Sequence, residues 1–154
     1  MAVTLQPMAP EDIAPWLEQS TADHIADRVD TGEDPETVRR STHATSETLF
    51  PGGVPAEGQF VFVVTEDAIP VGSVWLGAGR DGPPNVWFLW SIEIDVAARG
   101  HGLGRQAVRL AEDFARKRGA AKLELNVFGN NSVARGLYEA LGYRISTIQM
   151  SKVL

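Results

Sequence analysis

The residues with the clearest chemical content are three glycines at alternate positions. The stretch Ser91-Ile-Glu-Ile-Asp-Val-Ala-Ala-Arg-Gly-His-Gly-Leu-Gly-Arg105 begins as an apolar, strand-like run and passes through Gly100, Gly102 and Gly104 into a helical pattern. Glycine permits a tight turn and a close approach of backbone to ligand, and the first N–H groups of the helix that follows have no partner within it. With about +0.5 charge at that helix end, they suit an anion such as a phosphate. By itself, Arg99-x-x-Gly102-x-Gly104 fits a structural turn equally well. The spacing departs from the dinucleotide fingerprint G-x-G-x-x-G, because the third glycine comes one residue early. It departs from a P-loop too, because Arg105-Gln106 rather than Lys-Ser/Thr follows Gly104.

A second constellation lies downstream, Asn126-Val-Phe-Gly-Asn-Asn131-Ser-Val-Ala134-Arg-Gly-Leu-Tyr138-Glu-Ala-Leu-Gly142-Tyr143. Together the two segments resemble the GNAT family of acetyl-CoA-dependent N-acetyltransferases. The first matches that family's R/Q-x-x-G-x-G/A motif and the second its N-x-x-A-x-x-x-Y-x-x-x-G-F/Y helix, each once and in the expected order. The close match covers about residues 86–154; the first half agrees only in its order of elements.

The resemblance implies acetyl-CoA as acyl donor, with its pyrophosphate on the segment Arg99, Gly100, His101, Gly102, Leu103, Gly104 and Arg105. It places the pantetheine arm along the strand at Ile92 and Ile94, where neighbouring strands part, so that the arm behaves as an added strand. Asn131 and Ala134 belong to the second motif; Asn131 is either a helix N-cap, a partner for pantetheine, or both. The motif's Tyr138 is the expected proton donor to the departing thiolate, since a phenol near pKa ~10 can protonate a thiolate near ~8.5. Helix periodicity alone would make Tyr138 a buried aromatic, because Val133, Ala134, Leu137 and Leu141 mark a core-facing stripe.

An amine with pKa near ~10.4 must also lose a proton. In family members that acetylate the N-terminus of a ribosomal protein, a glutamate stands where this chain has Asn126, and an amide cannot be a base. Glu93 is the first candidate: it alternates with Ile92 and Ile94 and so points to the opposite sheet face. Glu124 and a water chain are the others. Either carboxylate would serve equally well as a sheet-face partner for a basic side chain. His24, His43 and His101 do not converge in sequence, and no metal-ligand spacing is present, so no metal site is expected. Without cysteine or a glycine-flanked serine motif, direct transfer in a ternary complex is the economical mechanism. A non-catalytic acyl-CoA-binding sensor is the alternative, and a nucleotide-binding domain a more distant one.

These groups need a scaffold, and 154 residues suit one domain, spanning residues 1–154, that buries about two thirds of its unfolded surface. The absence of cysteine excludes disulfides and fits a cytoplasmic protein. No apolar run approaches the ~20 residues of a membrane span, and Met-Ala-Val-Thr-Leu-Gln-Pro lacks a signal peptide's basic start, so no membrane association is expected. The net charge of −6 is uneven. Residues 1–67 hold thirteen Asp/Glu and three Lys/Arg; residues 68–154 hold seven and eleven. An anionic cosubstrate on the basic half and a cationic acceptor over the acidic half fit that split, although acidic helix faces are commonly just solvated. No basic stripe interleaved with aromatics suggests nucleic acid. The expected partners are acetyl-CoA and an amine-bearing small molecule or peptide, and a homodimer is compatible with the family.

The periodicity predicts a strand at Val3–Met8 and an amphipathic helix from Glu11 to about Val29. A second helix starts with Asp34 as cap and Pro35 at its first position, and stops before Pro51-Gly-Gly. Gln59–Thr65 and Val71–Leu76 form a hairpin, Arg80–Asn85 a loop, and Val86–Ile94 the strand leading into the glycines. A helix with Leu103, Ala107, Leu110, Ala111, Phe114 and Ala115 on one face stops at Gly119. A strand at Lys122–Phe128, a helix at Asn131–Leu141 and a last strand at Tyr143–Val153 complete the order. The expected class is α/β: a mixed central sheet of six or seven strands flanked by four helices, the GNAT fold. Trp75, Trp87 and Trp90 are candidates to line an acceptor pocket, or core residues.

Overall fold

The computed structural model describes residues 2–79 and 81–154; Met1 and Arg80, at the start of the expected 80–85 loop, lie outside the described residues. Strand β1 (Val3–Pro7) is followed by two helices, α1 (Pro10–Asp30) and α2 (Pro35–Leu49). The Asp34 carboxylate accepts from the Thr37 N–H at 2.9 Å and Pro35 opens the helix, so α2 begins where its capping residues dictate. Strands β2 (Gln59–Glu66) and β3 (Ile69–Ala78) then form the hairpin. Its turn holds Asp67 and Ala68 at φ 49° and 68°, the left-handed pair that a two-residue hairpin loop requires.

Strand β4 (Val86–Ile94) leads through the glycines into α3 (Leu103–Lys117), and the short strand β5 (Lys122–Leu125) leads into α4 (Ser132–Ala140). The sheet runs β1-β2-β3-β4-β5, antiparallel except for the parallel pair β4/β5. Helix α3 covers one face: Leu103, Ala107, Val108, Ala111 and Ala115 pack with Phe62, Val64, Val74, Leu76, Trp87 and Leu89. Helices α1 and α2 cover the other, where Ile13, Leu49 and Phe50 enclose Val61 and Trp75. The two sides of β2, β3 and β4 therefore feed separate cores, as the period of two requires.

Among the described residues the sheet has five strands, not six or seven. The expected last strand, residues 143–153, forms no ladder, and β5 stops at Leu125 rather than Phe128. Strand structure depends on a partner, and β5, only four residues long, sits at the edge with nothing paired beyond it.

Candidate functional site

β4 changes phase in its middle. Trp75 faces Ser91 while the next residue, Leu76, faces Leu89, so Trp90 is an extra residue, a β-bulge. Before it, Trp87 and Leu89 face the α3 core; after it, Ile92 and Ile94 do. Without the bulge that alternation would turn Glu93 into the apolar core. With it, Glu93 emerges on the α1 side, opposite Ser73, whose Oγ accepts the Trp16 indole N–H from α1 at 3.1 Å.

β4 also loses a neighbour. It pairs with β5 only from Val86 to Leu89, so the flank of residues 90–94 that faces away from β3 is an open backbone edge. At the end of this opening the chain makes a short 3-10 turn at Val96–Ala98, and the Arg99 Nε donates to the Ile94 carbonyl at 2.8 Å. Gly100 and Gly102 follow with φ of 83° and 76°, conformations that side-chain-bearing residues avoid. Gly102 is the N-cap of α3 and provides no capping side chain. The first N–H groups of α3, Leu103, Gly104 and Arg105, are therefore free to meet an anion. The His101 ring lies exposed, with Nδ1 3.2 Å from the Ala98 carbonyl, so its backbone rather than its ring shapes the loop.

Helix α4 closes this end. Asn131 Oδ1 accepts the Ala134 N–H at 3.1 Å, fixing the start of the helix. A β-carbon built on Gly104 would lie 3.5 Å from Leu137 Cδ2 and 3.9 Å from Ile94 Cγ1, so the ends of β4, α3 and α4 converge there. Tyr138, next to Leu137, is 8% exposed within the α3-side core, and burial raises its pKa above the ordinary phenol value. Its ring meets Tyr143 edge-on at 5.7 Å. Ala134, Leu137 and Leu141 fit the expected stripe; Val133 does not, being 84% exposed at the first turn of α4.

On the other side, desolvation first and repulsion from Asp23 second push the Glu93 carboxyl above the ordinary glutamate range; Arg99 opposes and Asp95 and Asp27 add to the rise. The α1 turn carrying Asp23 and Asp27 thus lies on the Glu93 side of the sheet, near that carboxyl. That turn also brings in His24, whose ring centroid is 6.1 Å from Phe128, just beyond β5. Loss of water and then the Arg28 guanidinium lower the His24 pKa, favouring a neutral ring. Spacing among the three histidines hid this residue; the signal was the ionisable density of Asp23-His24-x-x-Asp27-Arg28. Glu124 lies 3.8 Å from Lys122 on its own strand. The tryptophans divide by face: Trp87 stacks on Phe60 in the α3 core, whereas Trp75 and Trp90 stack together at 5.3 Å on the α1 side. The Trp90 indole N–H is buried there without a partner among the described residues.

An apolar cavity of about 330 Å³ between Pro7, Phe60, Phe114 and Arg118 lies at the opposite end of α3 from the glycines and takes no part in this site. No helix among the described residues is long and apolar enough to cross a membrane, and no group of three His, Cys, Asp or Glu is placed to hold a metal.

The Acetyltransferase (GNAT) family model matches residues 22–143. The chain is similar to the uncharacterized N-acetyltransferases YdgE and YycN of Bacillus subtilis (strain 168), 30% identical to each over 157 residues, with 100% of this chain covered and 99% and 100% of theirs. The crystal structure of YycN, a putative acetyltransferase, superposes with a TM-score of 0.88 at 28% identity over 99% of both chains. An aminoglycoside N-acetyltransferase in complex with CoA shares the fold (TM-score 0.61, 15% identity, 99% of this chain and 95% of that one).

Proposed function

Because this chain belongs to the GNAT acetyltransferase family, we propose that it transfers an acetyl group from acetyl-CoA to a primary amine, directly and within a ternary complex. The observation that carries this reading is the coincidence, at one end of the sheet, of an unpaired β4 edge, an uncapped helix start behind left-handed glycines, and a buried tyrosine. These features fit the cosubstrate's parts. The N–H groups of the segment Gly100–Arg105 suit a pyrophosphate, and the open backbone beside Ile92 and Ile94 suits an amide-bearing arm. Bound acetyl-CoA supplies an activated thioester.

This chain's own residues then supply position and proton management. The bulge at Trp90 leaves backbone out of the ladder, and a free N–H there polarises the acetyl carbonyl. The acceptor enters from the α1 side, past Glu93, which takes a proton from the amine directly or through water. The amine nitrogen bonds to the carbonyl carbon, the carbon–sulfur bond breaks, and the Tyr138 phenol gives its proton to the sulfur. An acceptor arriving as ammonium loses two protons: one replaces that given to sulfur and the other reaches solvent. A phenol whose pKa is raised by burial is held in the protonated form that this role needs.

The test is thiol release from acetyl-CoA over a panel of amines, with and without acceptor. Amine-dependent release that falls about 10²–10⁴-fold in Tyr138→Phe, with little change in KM for acetyl-CoA, is expected of a proton donor. CoA binding without release for any amine would favour a sensor instead.

A further inference from the structure

The cavity at the far end of α3 follows from where β1 stops. β1 pairs with β2 as far as Pro7 opposite Phe62, and one further bond, from the Met8 N–H to the Val61 carbonyl at 3.0 Å, ends the contact. Pro7 has no N–H to prolong a ladder, so the first residues of β2, which begins at Gln59, have no strand on that flank. The space left is the cavity of about 330 Å³, lined by Met8, Ile13, Val54, Phe60 and Phe114. That volume lies at the lower end of the ~300–1,000 Å³ range of small-molecule sites.

Only two of the lining side chains are polar, Gln59 and Arg118. Gln59 is already committed at both ends: its Oε1 accepts the Trp75 indole N–H at 3.0 Å, and its Nε2 donates to the Ala78 carbonyl at 3.0 Å. Arg118 is not. Its guanidinium carbon lies 4.8 Å and 4.7 Å from the ring centroids of Phe60 and Phe114, and no carboxylate among the described residues pairs with it, whereas Arg116 nearby is paired with Asp113 at 2.6 Å. Aromatic contact occupies the faces of a guanidinium and leaves its N–H edges, whose fork matches a carboxylate. No acidic residue lines the cavity, and the charges of Lys117 and Arg118 outweigh the about −0.5 of the α3 C-terminus. A cation is therefore disfavoured, and a phosphate, which needs several donors, meets one side chain.

We infer that this cavity binds a small monocarboxylate with an apolar tail, the tail lying against Phe60 and Phe114 and the carboxylate paired with Arg118. The site is independent of the acetyl-transfer reading. Helix α3, 15 residues and about 22 Å long, separates it from the glycine loop, so CoA and the carboxylate do not compete.

The probes are butanoate, hexanoate and octanoate, titrated calorimetrically into the full-length chain. Affinity is expected to rise about fourfold per added methylene, with octanoate reaching a Kd of about 1 mM or tighter. Arg118→Gln, a change at an exposed side chain, is expected to weaken octanoate about 10–100-fold and to leave octanol within about twofold. Saturating CoA is expected to leave octanoate affinity unchanged. Of the three methionines, Met8 lines the cavity, so its methyl resonance, assigned with Met8→Leu, is expected to move on octanoate binding while that of Met150 in the exposed tail stays still. Absence of octanoate binding, displacement of octanoate by CoA, equal affinity in Arg118→Gln, or an unmoved Met8 methyl would each overturn the inference. The methyl readout uses the unmodified chain and so stands even if Arg118→Gln fails to fold.

Discussion

The glycine loop yields a prediction in which two chemically identical substitutions, two residues apart, have opposite effects. Gly102 sits at φ 76° and ψ 10°, and a β-carbon there costs about 1–2 kcal/mol. Gly104 has ordinary helical geometry, and its new methyl would meet Leu137 and Ile94 at 3.5 and 3.9 Å, normal contact distances. Alanine there gains up to about 1 kcal/mol of helix propensity. Gly102→Ala and Gly104→Ala should thus differ by about 2 kcal/mol, or roughly 4–8 °C in Tm for a domain of this size. Calorimetric titration with CoA should follow the same order. If the strained loop relaxes in Gly102→Ala, its N–H groups lose their aim, and Kd should rise about 5–30-fold for the same 1–2 kcal/mol. Gly104→Ala should bind within a few-fold of the unmodified chain. Gly102→Asn, whose side chain tolerates the left-handed region, should fall between. The reasoning is refuted if Gly104→Ala is the less stable alanine, or if Gly102→Ala melts early yet binds CoA normally, since the anion would then not rest on these backbone groups.

Three further outcomes follow from the same geometry. Glu93→Gln should lower kcat/KM and abolish its acid limb, which in the unmodified chain lies above the ordinary glutamate range because desolvation and Asp23 raise that carboxyl. A group raised on folding contributes stability at low pH and loses it as pH rises through its folded value, so Glu93→Gln should gain stability relative to the unmodified chain between pH 4 and pH 8, read by urea denaturation at both. Asn131→Ala should cost about 0.5–2 kcal/mol through loss of the α4 cap, whereas Asn131→Ser should restore stability; CoA affinity that stays low in the serine variant would assign Asn131 a ligand contact as well. Gly72→Ala places a β-carbon 2.1 Å from the Glu93 carbonyl oxygen, so β3 and β4 must move apart. A loss of about 1–3 kcal/mol is expected, with activity falling further than melting predicts because Glu93 is displaced.

Local sequence carried the parts of this protein whose causes are local. Asp34 and Pro35 start α2, Asn131 starts α4, and the glycines start α3, because caps and left-handed turns are properties of a few adjacent residues. Val86–Ile94 is a strand over its predicted span. The two motifs, too, were legible as strings, and with them the family.

What depended on residues far apart in the chain was not legible. Nothing in Val-Trp-Phe-Leu-Trp-Ser-Ile-Glu-Ile marks Trp90 as a bulge; the register of β3 makes it one, and that single extra residue turns Glu93 from the apolar core to the α1 face. The approach of His24 to the opening rests on the packing of α1 across the sheet, through contacts such as Trp16 to Ser73 over 57 positions. The tail reads as a strand because its composition suits one, yet in this structure it forms no ladder with β5, the edge strand. A sequence can specify conformations stabilised within a turn or two of chain; which side of a sheet a carboxylate faces, and whether a strand finds an edge, are decided only when distant segments meet.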